Sequence, residues 1–353
     1  MKKSILFFTG LSLLVSACNN PPAPTNGGEQ ETAITQADQD LLATAKTFFQ
    51  PMPSEALNPE NPLTEPKIKL GKMLYFEKNL SVKSTQSCNT CHNLSAFGVD
   101  NLPTSPGDNG IPGTRNSPTT FNSALRTAQF WDGRNKDVEE QAGGPVMNPA
   151  EMGMPDKKVV EERLNTLGNY KALFAEAFPG VAEPVSFENM QKAIGAFERT
   201  LLTPARFDQY LAGDVNALSA DERTGLKSFI DNGCTACHMG SLLGGNMMMK
   251  VGLFGDYNQM MKAVTPDYGL YEQTKAEADK GMFFTPGLRN VEKTGPYFHN
   301  GGISSLPEAI KIIAKLQLNK DLTDAEAQSM ATFFNSLTGD IPEDVKKDPF
   351  AGL

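Results

Sequence analysis

The chain has 353 residues, of which 39% are hydrophobic and 21% charged, and its formal net charge is -9. That length and composition allow two hydrophobic cores in an ordinary globular protein. The acidic balance argues against a nucleic-acid partner held through phosphates and suits a cationic partner steered from a distance.

The first residues read as targeting. Lys2 and Lys3 precede an apolar run from Ile5 to Val15 that is too short to span a bilayer as a mature helix. The run ends Val15-Ser16-Ala17-Cys18, which resembles the lipobox of bacterial lipoproteins. That resemblance implies a signal peptide over residues 1–17 and lipidation of Cys18. With Asn19 next, it also implies a periplasmic protein anchored by its lipid to the outer membrane. The plainer alternative is an ordinary signal peptide with a stray cysteine, and both readings export the chain. Removing residues 1–17 takes away two lysines and no acid, so the charge falls to -11. Residues 18–36 are rich in Pro, Gly and Asn and read as a flexible tether.

Helical patterns follow. Leu41, Leu42, Ala45 and Phe48 keep a 3.6-residue period, and so do Leu70, Met73 and Leu74 after a first-turn Pro66. From Phe187 to Leu202, the residues Met190, Ala193, Ile194, Phe197 and Leu201 share one face. Ser219 with Glu222 and Thr323 with Glu326 form two capping boxes. Few stretches alternate like strands, and long segments such as 101–120 are irregular. The expected fold is all-α, with a first domain over 37–204 and a second over 205–338. The boundary falls near Thr203-Pro204, and a tail over 339–353 is placed to pack back on the first domain.

Apart from Cys18, the cysteines form two pairs, Cys88/Cys91 and Cys234/Cys237, each followed at once by a histidine, His92 and His238. A thioredoxin-like CxxC needs no histidine and seldom occurs twice. A four-cysteine zinc site would span the 142 residues between Cys91 and Cys234 and leave both histidines unexplained. CxxCH instead suits covalent c-type haem. The two thiols add to the two vinyl groups, and the adjacent histidine is held as the proximal iron ligand. Each expected domain therefore carries one haem.

Around these motifs stand "LGKMLYFEKNLS", "RNSPTTFN", "AQFWDGR", "EEQAGGPVMNPAEMGM" and "TPGLRNVEKTGPYFHNG". In this order and spacing, over roughly residues 70–339, the chain resembles the bacterial di-haem cytochrome c peroxidases. It is related also to the di-haem maturation enzymes of methylamine utilisation. The resemblance implies two cytochrome c-like domains and reduction of hydrogen peroxide to water. It makes a small c-type cytochrome or copper protein the electron donor and implies a homodimer. Glu151 matches the acid/base carboxylate and Gln141 its polar neighbour, while Trp131, the sole tryptophan, matches an inter-haem residue. Asn116, Thr294 and Pro296 match a calcium site. His299 matches a histidine near the domain interface whose role the sequence leaves open between structural and catalytic. The other classes to weigh are an oxidase of a partner protein and a plain electron-transfer lipoprotein.

Two positions depart from the family pattern. Asp108 stands where many members carry a loop histidine that caps the peroxidatic iron, so this iron is expected to be open without prior reduction. Ile313 stands where a methionine ligates the second iron. Methionines cluster at Met247-Met248-Met249 and Met260-Met261, and they read as flexible packing residues rather than substitute ligands.

Overall fold

In the computed structural model, residues 34–351 and Met1 are described. The signal-peptide reading, Cys18 and most of the tether lie outside the described residues. Helix α1 (Gln36–Phe48) starts at a capping box in which Thr35 and Asp38 exchange hydrogen bonds. The last two tether positions are thus a cap and a first turn. Leu42 and Ala45 form the buried face of α1. The sequence groups this segment with the first domain, but Leu42, Ala45 and Phe49 pack in a cluster with Phe207, Phe229 and Phe333. Residues adjacent in sequence are here separated in packing, because the extended segment after Phe48 carries the chain across to α2.

Helix α2 (Glu65–Phe76) has Pro66 in its first turn and buries Leu70 and Leu74 completely. A single turn, α3 (Cys88–Cys91), carries the first cysteine pair. Then come α4 (Val138–Met147), capped by Asp137 and interrupted by Pro145, α5 (Lys157–Thr166), α6 (Tyr170–Ala177) and α7 (Phe187–Glu198). The predicted face of α7 is the observed one: Met190, Ala193 and Ile194 are fully buried against α2. Burying a side chain the size of Met190 or Ile194 contributes about 1.5–3 kcal/mol. At Gly71 a Cβ would stand 1.8 Å from the Ala193 carbonyl oxygen, so only glycine lets these two helices meet.

The second cluster repeats the device. It contains α8 (Arg206–Ala212) and α9 (Ala220–Asp231), the latter opened by the Ser219–Glu222 capping box. Short elements follow: β1 (Met248–Lys250), α10 (Tyr257–Met260), α11 (Tyr271–Thr274) and β2 (Met282–Phe284). The two strands pair antiparallel, Met248 opposite Phe284. Helix α12 (Leu306–Leu318) leads to α13 (Asp324–Phe334), whose capping box is Thr323–Glu326. Helix α9 packs on α13 through Gly225, where a Cβ would stand 2.0 Å from the Ser329 carbonyl oxygen. In each half, the helix that precedes CxxCH is pressed by a glycine against the half's last long helix. The one-turn α14 (Glu343–Lys346) lies in the tail, and Ile341, Val345 and Phe350 pack on the first cluster.

The expected boundary at Thr203-Pro204 is not an exposed hinge. Thr203 is fully buried, and its hydroxyl meets the Asn122 amide at 2.8 Å and the Asn290 amide at 2.9 Å. Residues from Ile34 onward cluster as one unit. The fold is thus mostly helical, with two hydrophobic clusters joined by a buried polar knot rather than by a flexible linker.

Candidate functional site: two cavities on CxxCH motifs

Each cysteine pair opens onto its own cavity. None of the four cysteines Cys88, Cys91, Cys234 and Cys237 forms a disulfide. Burial pushes Cys91 and Cys234 up to about 11 and raises Cys88 further. Protonated thiols are poor redox nucleophiles, which argues against the thioredoxin-like alternative. The pairs line different cavities, and no cluster of three or more His, Cys, Asp or Glu suited to a metal occurs among the described residues. That removes the shared zinc site.

The first cavity gathers Cys88, Cys91, His92, Trp131, Gln141 and Glu151. The Tyr75 hydroxyl donates to the His92 carbonyl at 2.7 Å and fixes the turn that carries the imidazole. Burial lowers the His92 pKa, which keeps the ring neutral, as a metal ligand must be. Its Nδ1 is buried without a hydrogen-bond partner among the described residues. Gln141 sits on α4, and after that helix ends at Met147 the Glu151 N–H donates to the Asn148 carbonyl at 2.9 Å and the Met152 N–H to the Pro145 carbonyl at 3.1 Å, a turn that brings Glu151 into the same cavity. Glu151 Oε1 accepts from Asn148 Nδ2 at 2.7 Å. Burial raises its pKa, against the opposing hydrogen bond from Asn148 and the charge of Arg134. A carboxylate so placed can exchange a proton nearer neutrality than an exposed one.

Asp108 has a different task from a capping group. It is 6% exposed, and its carboxylate accepts from the Lys83 amide and the Thr85 hydroxyl. Its own N–H donates to the Glu151 carbonyl at 2.7 Å. It ties the loop and the Glu151 segment to the turn over residues 81–85.

The second cavity is walled mainly by apolar side chains, among them Phe229, Val251, Phe283, Ile310 and Ile313 around Cys234, Cys237 and His238. His238 Nδ1 lies 2.9 Å from the Leu243 carbonyl. The carbonyl can only accept, so Nδ1 carries the proton and Nε2 keeps its lone pair for a metal. Of the clustered methionines, Met249 and Met261 reach this cavity wall.

Trp131 lines both cavities. Its Nε1–H donates to the Asn116 carbonyl at 2.9 Å, and its own carbonyl accepts from the Phe284 amide at 2.7 Å. His299 lines the second cavity, stacked on Phe283 at 4.2 Å and edge-on to Trp131 at 6.4 Å. Burial brings its pKa down to about 4, so the ring is neutral at physiological pH.

Hydrogen bonds draw the calcium candidates into one region. Asn116 N–H donates to the His299 carbonyl at 2.7 Å, its Nδ2 to Leu102 at 2.8 Å, and Asn101 Nδ2 to Gly295 at 2.8 Å. Asn116 Oδ1 and the carbonyl oxygens of Thr294 and Pro296 accept no hydrogen bond among the described residues. Neutral oxygens left free in this way suit a hard cation.

Two lining residues escape sequence reasoning. Glu198, 4% exposed, lines the first cavity, and burial together with the Glu139 charge lifts it to about 8. Its signal was available: it stands four residues after Ile194, a charge on an apolar face. Arg126 lines the same cavity from irregular chain, where periodicity has nothing to say.

A family model described as di-haem cytochrome c peroxidase matches residues 65–216. The cytochrome c551 peroxidase of Pseudomonas aeruginosa is 42% identical over 315 residues, 88% of this chain and 90% of its own. The methylamine utilization protein MauG of Methylorubrum extorquens is 36% identical over 82% of this chain and 80% of its own. Among solved structures, a MauG-like protein associated with microbial copper homeostasis superposes with a TM-score of 0.74 at 28% identity. It covers 85% of this chain and 97% of that one.

Proposed function

The chain belongs to the di-haem cytochrome c peroxidase family, and from that membership we propose that it is an oxidoreductase that reduces hydrogen peroxide to water. Cys88, Cys91 and His92 would hold one c-type haem, and Cys234, Cys237 and His238 the second. The neutral imidazoles, the cysteines left out of any disulfide and the cavity beside each motif support this assignment. Haem iron, when bound, supplies the peroxide-binding position and the electrons.

The chain's own residues supply the proton chemistry. The overall reaction is H2O2 + 2 e− + 2 H+ → 2 H2O. One peroxide oxygen must lose a proton and the other gain one for the O–O bond to break unevenly. Glu151 takes the first proton and returns it to the departing oxygen, while Gln141 orients the substrate from α4. Trp131, common to both cavities, couples them for electron delivery. Asn116, Thr294 and Pro296 bind calcium and tie the Trp131 region to the chain before His299. Electrons enter through the second cavity from a small c-type cytochrome or copper protein. We assign the mature protein to the periplasm, lipid-anchored through Cys18 at the outer membrane and acting as a homodimer. No helix among the described residues is long and apolar enough to cross a membrane.

The observation that carries the peroxidase reading is a buried carboxylate with a raised pKa in the cavity of the first CxxCH motif. An electron carrier with both irons capped has no use for it. The partner-oxidase reading draws on the MauG relative and on Ile313, but no tyrosine stands at the second-haem position. The deciding experiment records paramagnetic resonance and visible spectra of the fully oxidised protein, before and after peroxide. A high-spin ferric haem altered at once by peroxide is expected, because Asp108 is bound into the turn over residues 81–85. Two low-spin haems inert to peroxide would overturn the reading.

A further inference from the structure

The chain has eight arginines, and seven have evident partners. Arg115, Arg134, Arg199, Arg206, Arg223 and Arg289 each form an ion pair with a carboxylate. Arg163 donates to the carbonyls of Asn79 and Ser81 at 2.8 and 2.6 Å. Arg126 is the exception among the described residues. Its Nε is buried with no hydrogen-bond partner, and Nη2 reaches the Phe130 carbonyl only at 3.5 Å. Its guanidinium lies over the Phe284 ring at 5.0 Å.

A guanidinium cannot discharge itself by losing a proton at any ordinary pH. A half-buried one must therefore find an anion or remain poorly solvated. Burial alone acts on this group and brings it down to about 10, with no carboxylate to oppose it. Its place narrows the choice of anion. Arg126 lines the first cavity, and the ring it covers, Phe284, lines the second. Arg115 and Arg134 line the first cavity too, but Asp132 and Asp267 already hold them. Arg126 is the uncommitted cation at the wall the two cavities share.

We propose that Arg126 is the counter-ion of a propionate carboxylate of the first-cavity haem and raises that haem's reduction potential. A haem held by thioethers at its vinyl groups keeps two carboxylates on the rest of its rim. A cation that neutralises one of them favours the iron state with one positive charge fewer, which is the reduced one. The Phe284 ring, 5.0 Å from the guanidinium, gives the charge a cation–π contact but no anion. The inference rests on the first cavity carrying a haem.

Two measurements test it. Mass spectrometry first counts the haems on the purified chain. Two haems are expected, and fewer would sink the functional reading itself. A crystal structure of that loaded protein then shows what the fork touches. A propionate oxygen within hydrogen-bond distance supports the proposal. Water or a free anion in its place overturns it, whatever the variants do. Redox titration supplies the energetic arm. Arg126→Gln should shift the first haem's reduction equilibrium about tenfold toward the oxidised form, a fall of about 59 mV, and move the second haem less. Arg126→Lys, which keeps the charge, should stay within about threefold of the parent. A loaded Arg126→Gln protein with an unchanged first potential would leave Arg126 a packing residue only.

Discussion

The two cavities are built from the same parts. In each, a helix is pressed by a glycine, Gly71 or Gly225, onto a later helix, and a CxxCH turn opens the cavity beside that pair. The walls then diverge. Glu151, Gln141, Glu198 and Arg126 face the first, while Phe283, Ile310 and Ile313 are typical of the second. The histidines share one feature: burial lowers the pKa of both His92 and His238 and keeps each ring neutral. The contrast teaches that the attachment motif specifies the cofactor but not its task. A wall with titratable groups can move protons, whereas an apolar wall around a motif suits passing electrons with little change in solvation.

The strongest way to break that contrast is to make the first cavity as proton-inert as the second. Glu151→Gln should cut peroxide turnover at least about 100-fold with both haems retained. Its pH profile sharpens the point. Glu151 accepts a proton only when ionised, and burial raises its pKa. The parent kcat/KM should therefore fall on acidification with an inflection above the ordinary carboxylate range, and the Gln variant should lose that inflection. Steady-state peroxide assays across pH read both effects.

Glu198 offers a test of the same wall through stability. Its folded pKa, about 8, lies above that of an unfolded glutamate. The folded state therefore binds a proton that the unfolded state has released, and this contribution is fully present below the unfolded pKa. It is lost as pH rises toward 8, by about 1.4 kcal/mol per pH unit at its steepest. Glu198→Gln should flatten the denaturant stability curve over that window. An unchanged slope would mean that Glu198 is ionised in the folded protein.

These two glutamates show how far the sequence could be read. Glu151 was legible because it lies in a long specific motif, and the structure places it in the cavity of Cys88, Cys91 and His92. The helices with capping boxes, at Ser219 and Thr323, were legible from local chemistry alone. The packing of α1 was not, since its amphipathic stripe says that it is buried but not against what. The Thr203 knot was hidden for a similar reason: its partners Asn122 and Asn290 lie 81 and 87 residues away. Arg126 was invisible because an unpaired charge is defined by the absence of neighbours, which only coordinates reveal.

A third test reverses the contrast from the other side. Ile313, which the sequence resemblance sets at an expected thioether-ligand position, lines the second cavity. Ile313→Met should raise the second haem's potential by about 59 mV or more, a tenfold change in its reduction equilibrium, and leave the first haem nearly unmoved. If neither potential shifts, Met249 or Met261 already serves that iron, and the apolar character of the second wall would need revision.

The smallest expected effect on turnover concerns the loop that carries Asp108. Gly107 lies so close to the next segment that a Cβ would stand 2.2 Å from the Ala150 carbonyl oxygen, and Val82 N–H donates to Met152 at 2.8 Å. Between these contacts, the Asp108 carboxylate takes up the Lys83 amide and the Thr85 hydroxyl. Burial would raise its pKa, but these hydrogen bonds outweigh it and hold the group below the ordinary value. Its stabilising contribution is therefore present above the unfolded pKa and lost as pH falls through the folded one. Asp108→Asn turns an amide N–H toward donors and should cost about 1–3 kcal/mol near neutrality. That difference from the parent should close in acid, as denaturation at two pH values would show. Turnover should fall far less than in Glu151→Gln, since the Asp108 N–H bond to the Glu151 carbonyl survives the substitution. A turnover loss as large as that of Glu151→Gln would instead make the loop part of the proton machinery.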